Sequence, residues 1–304
     1  MRRGLRRFAV LGAVLMLTAA GCGDDGDEES GGGATTTSSG GEAPPTFAAG
    51  STMATLQGKG KIILGTKFDQ PGFGLKDAVS GKVEGFDVEI AKLIAAGIFG
   101  GSAEEAAGKI EFVEAVSKNR EPFIQEGKVD LVVATYTIND ARKMVVDFAG
   151  PYFVARQDIM VKSDNNDIRS VEDLNGKKVC SAQGSTSIKN VQAKAPQADL
   201  SISFDTYSKC ADAMGDGRVV AVTTDDTILA GLVQASGGAF KLVNAPFSDE
   251  PYGIGLKKDD TAFRNFLNNR LQEIFDGGEW AAAFEATLGK LGLTTPEPPA
   301  IAAY

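Results

Sequence analysis

A chain of 304 residues has room for about two domains, and 43% hydrophobic with 23% charged residues is the composition of a soluble globular protein. The formal net charge of -9, with no basic stripe beyond the extreme N-terminus, argues against nucleic acid as a partner. There is no histidine, which removes Ser-His-Asp and Cys-His catalysis and argues against catalytic zinc, so neither a metal nor a cofactor is expected.

The chain opens with Arg2, Arg3, Arg6 and Arg7, followed by an apolar run from Phe8 to Ala20. A spanning helix needs about 20 apolar residues. This shorter run with a basic start therefore reads as a secretory signal peptide over residues 1–21. Its end, Ala19-Ala20-Gly21-Cys22, resembles a bacterial lipoprotein lipobox, with alanine where leucine is usual three residues before the cysteine. The resemblance implies a lipidated Cys22 that anchors the protein to the outer face of the cell membrane, since two acyl chains suffice for stable attachment. An ordinary signal peptide with an incidental cysteine is the alternative. From Gly23 to Thr46 almost nothing is apolar, so residues 22–50 read as a tether with an r.m.s. reach of roughly 25–30 Å.

The folded part alternates strand and helix patterns. Lys61–Gly65 is a short buried-strand pattern that runs into a turn-forming segment carrying Lys67, which either faces a pocket or is merely solvated. Gly85–Ile98 is a helix with Asp87 and Glu89 in its first turn and one apolar stripe at Ile90, Leu93, Ile94 and Ile98. The strand pattern 109–113 leads to Arg120, which either approaches a ligand crevice at the sheet edge or pairs with Glu114 or Glu121 at the surface.

The apolar run 129–134 then stops at a polar loop before a helix start. Thr135 and Thr137 supply hydroxyls, the loop supplies free N–H groups, and Arg142 supplies a guanidinium able to grip both oxygens of a carboxylate. The bland alternative is an N-cap followed by a solvated arginine. The same parts recur later as strand 177–182, the turn Gln183-Gly184-Ser185-Thr186-Ser187, and a helix from Ile188. Ser185 and Thr186 are thus the second jaw of a candidate carboxylate site. Strand 219–224 ends at Asp225 and Asp226, of which one can cap the helix 227–235 while the other meets an ammonium group.

Chain crossings between two lobes are expected near Phe153–Arg156 and Asn244–Pro251. The C-terminal helices 261–275 and 279–288 place Trp280 and Phe284 in the core, and the proline-rich tail is expected to be loose. Outside the cytoplasm Cys180 and Cys210 are expected to form a disulfide worth roughly 3–4 kcal/mol, free thiols being the alternative.

Three separated strings, GFDVEIAKLIA from Gly85, ATYTINDARKMVVDFAGPYF from Ala134 and GRVVAVTTDDTILAG from Gly217, resemble the family 3 extracellular solute-binding proteins of ABC amino-acid importers. The overall likeness is to the lipid-anchored glutamate receptors of Gram-positive bacteria. It implies an α/β, two-lobed, periplasmic-binding-protein-like type II fold with two crossing strands at the hinge. Lobe one would comprise residues 51–154 and 248–293, lobe two 155–247, and the tail 294–304. By the same resemblance Arg142, Thr137 and Thr186 hold an α-carboxylate, Asp225 with groups near Thr135 holds the α-ammonium, and Lys67 and Arg120 meet a second carboxylate. Val219-Val220 departs from the acidic residue many members carry there, which bears on packing more than on binding. The implied ligand is an acidic amino acid, glutamate or aspartate, and the implied partner is an ABC permease; the chain is expected to be a monomer and not an enzyme. A glutamine or asparagine receptor, a dehydratase-like enzyme and a sensor on the same fold are the alternatives.

Overall fold

The computed structural model describes residues 44–302. The expected signal peptide, Cys22 and most of the tether lie outside these residues.

Helix α1 (Thr52–Lys59) precedes β1 (Ile62–Thr66). A small antiparallel sheet of β2 (Asp69–Gln70), β3 (Gly74–Lys76) and β4 (Val83–Glu84) follows. The chain continues through α2 (Phe86–Phe99), α3 (Ala103–Ala107), β5 (Ile110–Glu114), α4 (Arg120–Gln125), β6 (Leu131–Val132) and α5 (Asp140–Lys143). Strand β7 (Asp147–Lys162) leads to β8 (Val179–Cys180), α6 (Thr186–Lys194), α7 (Tyr207–Gly215), β9 (Ala221–Asp225) and α8 (Asp226–Ala235). The last elements are β10 (Phe240–Leu242), β11 (Ser248–Leu256), α9 (Thr261–Asp276) and α10 (Glu279–Ala286).

One sheet of order β5-β1-β6-β11-β7-β9-β8, with β10 also on β7, runs through both lobes. In the first lobe β5 and β6 flank β1 in parallel, the arrangement that helical crossovers impose. In the second, β8 pairs β9 in parallel. Joining them are the two long strands β7 and β11, antiparallel from Gln157↔Ser248 to Asp147↔Leu256. The segment Phe153–Arg156 is therefore ladder. The return crossing expected over Asn244–Pro251 is ladder from Ser248 onward, where β11 begins.

The helix expected over 85–98 is α2, but it is buried nearly all round instead of along one stripe. Ile90, Ile94 and Ile98 are fully enclosed, and the helix packs on α1, α3, α9 and α10. Ile90→Ala or Ile94→Ala would cost about 2–5 kcal/mol. The helix start is fixed by Gly85, whose φ of 136° is open to glycine and whose Cβ would lie 2.2 Å from the Phe73 carbonyl oxygen. Trp280 and Phe284 close the other side of α2 at ring distances of 5.6 and 6.0 Å from Phe86.

At both ends of the described residues the chain is packed, which composition did not suggest. Gln57 Nε2 donates to the Pro45 carbonyl at 2.8 Å and Phe47 stands edge-on to Phe266, so packed chain begins before residue 50. The tail is docked, with Ile301 against the core and the Ala302 amide donating to the Gly150 carbonyl at 3.0 Å. Cys180 and Cys210 form a disulfide, with Cα atoms 5.5 Å apart, that ties α7 to β8.

Candidate functional site between the lobes

The loop Thr135–Ile138 lies where the hinge strand can hold it. Thr137 bridges to Tyr252, the Ile138 amide donates to the Pro251 carbonyl at 2.7 Å, and the Gly253 amide donates to the Tyr136 carbonyl at 3.0 Å. Thr135 adopts φ 43°, a left-handed conformation disfavoured for a non-glycine residue. It is kept there by Asp87, whose carboxylate accepts from the Thr135 amide at 2.8 Å and from the Tyr152 hydroxyl at 2.6 Å. Asp87 reads in sequence as a helix-start acid. In the fold it is fully enclosed, and burial pushes its carboxyl up to about 7.

Two arginines converge on this loop, and a buried lysine feels the charge of both. Arg120 donates from Nη1 to the Ala134 and Thr135 carbonyls, both at 3.0 Å, and stands over the Tyr136 ring. Arg142 stands over the same ring and donates to the Thr137 carbonyl at 2.7 Å, to Glu121 Oε1 at 3.1 Å and to the Gly184 carbonyl of the second lobe at 3.3 Å. Glu121, one of the two surface partners weighed for Arg120, thus pairs with Arg142. Lys67 is 2% exposed and donates to the Ser117 hydroxyl at 2.8 Å. Burial, then the neighbouring Arg120, brings the Lys67 ammonium down to about 7, and burial with Arg120 brings Arg142 down to about 10. Lys67 and Arg142 are therefore not the solvated side chains of the alternative reading, and Arg120 is not in a surface ion pair; Lys67 and Arg120 are enclosed, and Arg142 borders only the cleft.

The acid is Asp225, 4% exposed at the end of β9. It occupies the N-cap position of α8 yet makes no capping bond; Asp226 instead accepts from the Thr227 and Arg156 amides. Asp225 Oδ2 accepts from the Tyr252 hydroxyl, while its buried Oδ1 has no hydrogen-bond partner among the described residues. Burial, with Glu250 nearby, pushes its carboxyl up to about 8. A second unsatisfied group is the buried Nε2 of Gln70, whose Oε1 accepts from the Thr135 hydroxyl at 3.1 Å. Gln70, Tyr136, Asp87 and Glu250 escaped sequence reasoning. Only for Gln70 was there a signal, its place three residues after Lys67 in the same turn.

The second jaw is built differently from expectation. Ser185 caps α6, accepting from the Ile188 amide. The Thr186 hydroxyl donates to Glu250 at 2.8 Å instead of pointing free into the cleft. Glu250 is in turn held by Asn190 and Ser248, each at 2.8 Å. A cleft of about 310 Å³ beside Arg142 is lined by Glu121, Gly184, Ser185 and Thr186, whereas Lys67, Arg120, Thr135 and Asp225 are buried and do not line it. Among the described residues no group of acidic or cysteine side chains could hold a metal ion, and no helix is long and apolar enough to cross a membrane.

The chain is 40% identical over 230 residues to the ABC transporter glutamine-binding protein GlnH of Bacillus subtilis, covering 75% of this chain and 81% of that protein. It is 38% identical over 244 residues to the glutamate-binding protein GluB of Corynebacterium glutamicum, covering 78% and 82% respectively. Among solved structures, the solute receptor for L-cysteine of Neisseria gonorrhoeae superposes with a TM-score of 0.74 at 30% identity, over 84% of this chain and all of that one. All three are named as amino-acid-binding proteins or receptors. The family model for bacterial extracellular solute-binding proteins, family 3, matches residues 62–290, which spans every strand of the sheet and both jaws of the cleft. The chain belongs to the bacterial extracellular solute-binding proteins of family 3.

Proposed function

We propose that the protein captures an acidic amino acid, glutamate before aspartate, by closing its lobes, and delivers it to an ABC permease. The observation that carries this reading is the convergence of three buried cations, Lys67, Arg120 and Arg142, in a site where a buried Asp225 oxygen has no hydrogen-bond partner among the described residues. Burial and then the Arg120 charge lower both Lys67 and Arg142, because like charges in a dry site repel, and an anionic ligand relieves that cost. An α-ammonium satisfies Asp225 Oδ1, Arg142 with Thr137 and the Ser185–Thr186 turn receives the α-carboxylate, and Lys67 with Arg120 receives the second carboxylate. Gln70 Nε2 is a further donor for a ligand oxygen.

Glutamine is the second reading. It is favoured by the low Lys67 value, about 7, and by the two carbonyls that Arg120 already serves. The names of the relatives divide the same way, glutamine for one and glutamate for the other. The proposal extends to the N-terminus: a signal peptide over residues 1–21, a lipid on Cys22 and a tether holding a monomeric receptor off the membrane. Titration calorimetry with glutamate, aspartate, glutamine and arginine tests the reading. Tight binding of glutamate, abolished by Arg142→Ala, is expected. Preference for glutamine would discard the acidic assignment, and absence of amino-acid binding would sink the receptor.

A further inference from the structure

The lobes are also joined by groups that have no place among the ligand contacts proposed above. Asp69, on β2 of the first lobe, accepts from the Tyr207 amide at 2.9 Å and the Ser208 amide at 3.3 Å, both at the start of α7 in the second lobe. The Ser208 hydroxyl lies 3.5 Å from the same oxygen. Helix α7 lacks such a partner of its own, because its N-cap residue Thr206 makes no side-chain capping bond. The first N–H groups of a helix have no intrahelical acceptor, and a carboxylate there also meets the positive end of the helix dipole.

The turn after Asp69 makes a second contact. The Pro71 carbonyl approaches Gly231 of α8 so closely that a Cβ on that glycine would lie 2.4 Å from the oxygen. Glycine weakens a helix interior, and this approach is a reason for its presence. A third contact runs from Gln234 Nε2 at the end of α8 to the Lys290 carbonyl, at 3.1 Å, beyond α10 in the first lobe.

We propose that the β2–β3 turn and the start of α7 form a clasp that stabilises the closed lobes whatever ligand is bound, Asp69 serving as the missing cap of α7 only when the lobes meet. The inference rests on the receptor reading above and adds a separate determinant of affinity. A contact made only in the closed state raises the closed fraction, and so scales the apparent affinity for all ligands by one factor.

Asp69→Ala and Gly231→Ala in the full chain test this. Small-angle X-ray scattering without ligand is expected to show a larger radius of gyration in both variants. Calorimetry is expected to show affinity falling in both variants, by about five- to tenfold for loss of the cap in Asp69→Ala, with glutamate and glutamine falling together in Gly231→Ala. Unchanged scattering and affinity in both variants would overturn the clasp. So would a changed glutamate-to-glutamine ratio in Gly231→Ala, since the nearest neighbour of that residue is Pro71 and not Lys67. If the unaltered protein binds no amino acid, the receptor reading fails while the scattering still decides the clasp. Should Asp69→Ala fold poorly by thermal melting, Gly231→Ala carries the test, because alanine favours the helix it enters.

Discussion

Replacing Asp225 by asparagine should weaken the ligand and strengthen the fold at the same time. The side chain is 4% exposed, Oδ2 is satisfied by the Tyr252 hydroxyl, and Oδ1 is not satisfied at all. Asparagine keeps the size but removes the charge that an ammonium group would meet. A charge-assisted bond is worth about 1.5–3 kcal/mol, so affinity should fall by about 10- to 150-fold. The unliganded protein gains, because a buried carboxylate with an unpaired oxygen costs about 1–3 kcal/mol. Its folded-state value of about 8 lies above the unfolded reference of about 3.9. The carboxyl group's contribution to stability is thus fully present below the unfolded value and is lost as pH rises through about 8. The advantage of Asp225→Asn should therefore be smallest near pH 4, grow to about pH 8 and level off, appearing as roughly 2–4 °C in melting temperature per kcal/mol. Calorimetry and thermal melting across this range are the assays. Unchanged affinity, or a variant less stable than the parent at pH 8, would refute the assignment of Asp225 as a charge kept for the ligand.

Three further outcomes are expected. The ratio of glutamate to glutamine affinity should fall by up to tenfold per pH unit above about 7, as the Lys67 ammonium loses its proton, while the Asp225 contribution cancels in the ratio; Lys67→Met should abolish that slope in the same titrations. Thr186→Val should weaken binding far less than Arg142→Ala, since its hydroxyl is already spent on Glu250; equal losses by calorimetry would return Thr186 to the ligand. Removing the disulfide by Cys180→Ala with Cys210→Ala should cost roughly 3–4 kcal/mol in denaturant unfolding, mostly by freeing the unfolded chain, and a parent treated with reductant should match the variant.

Much of the fold is legible in the sequence because its elements are locally coded. Helix α2 announces itself by acids in its first turn and apolar residues at helical spacing, and β1, β5 and β9 by short apolar runs ending in turn residues. What local pattern could not show is burial on the second face of α2, which depends on α9 and α10 arriving from the far end of the chain. Helix α7 was not foreseen, since its cap comes from Asp69, well over a hundred residues away in sequence. The length of the 16-residue β7 is not legible locally, because Gly150-Pro151 interrupts the apolar pattern while the partner β11 continues the pairing on both sides of it.

The candidate site divides along the same line. Sequence alone determined that Arg142, Thr137, Ser185 and Asp225 sit at strand ends or helix starts, since these residue types at those junctions are fixed by the backbone groups they complete. It could not determine that Glu121 pairs with Arg142, that Thr186 is claimed by Glu250, or that Asp87 turns inward to hold Thr135 in a left-handed conformation. Which donor meets which acceptor, and which buried oxygen is left without one, is set by segments brought together from the whole length of the chain. Burial then decides the charge states, because the same lysine or aspartate titrates differently once water is removed from around it.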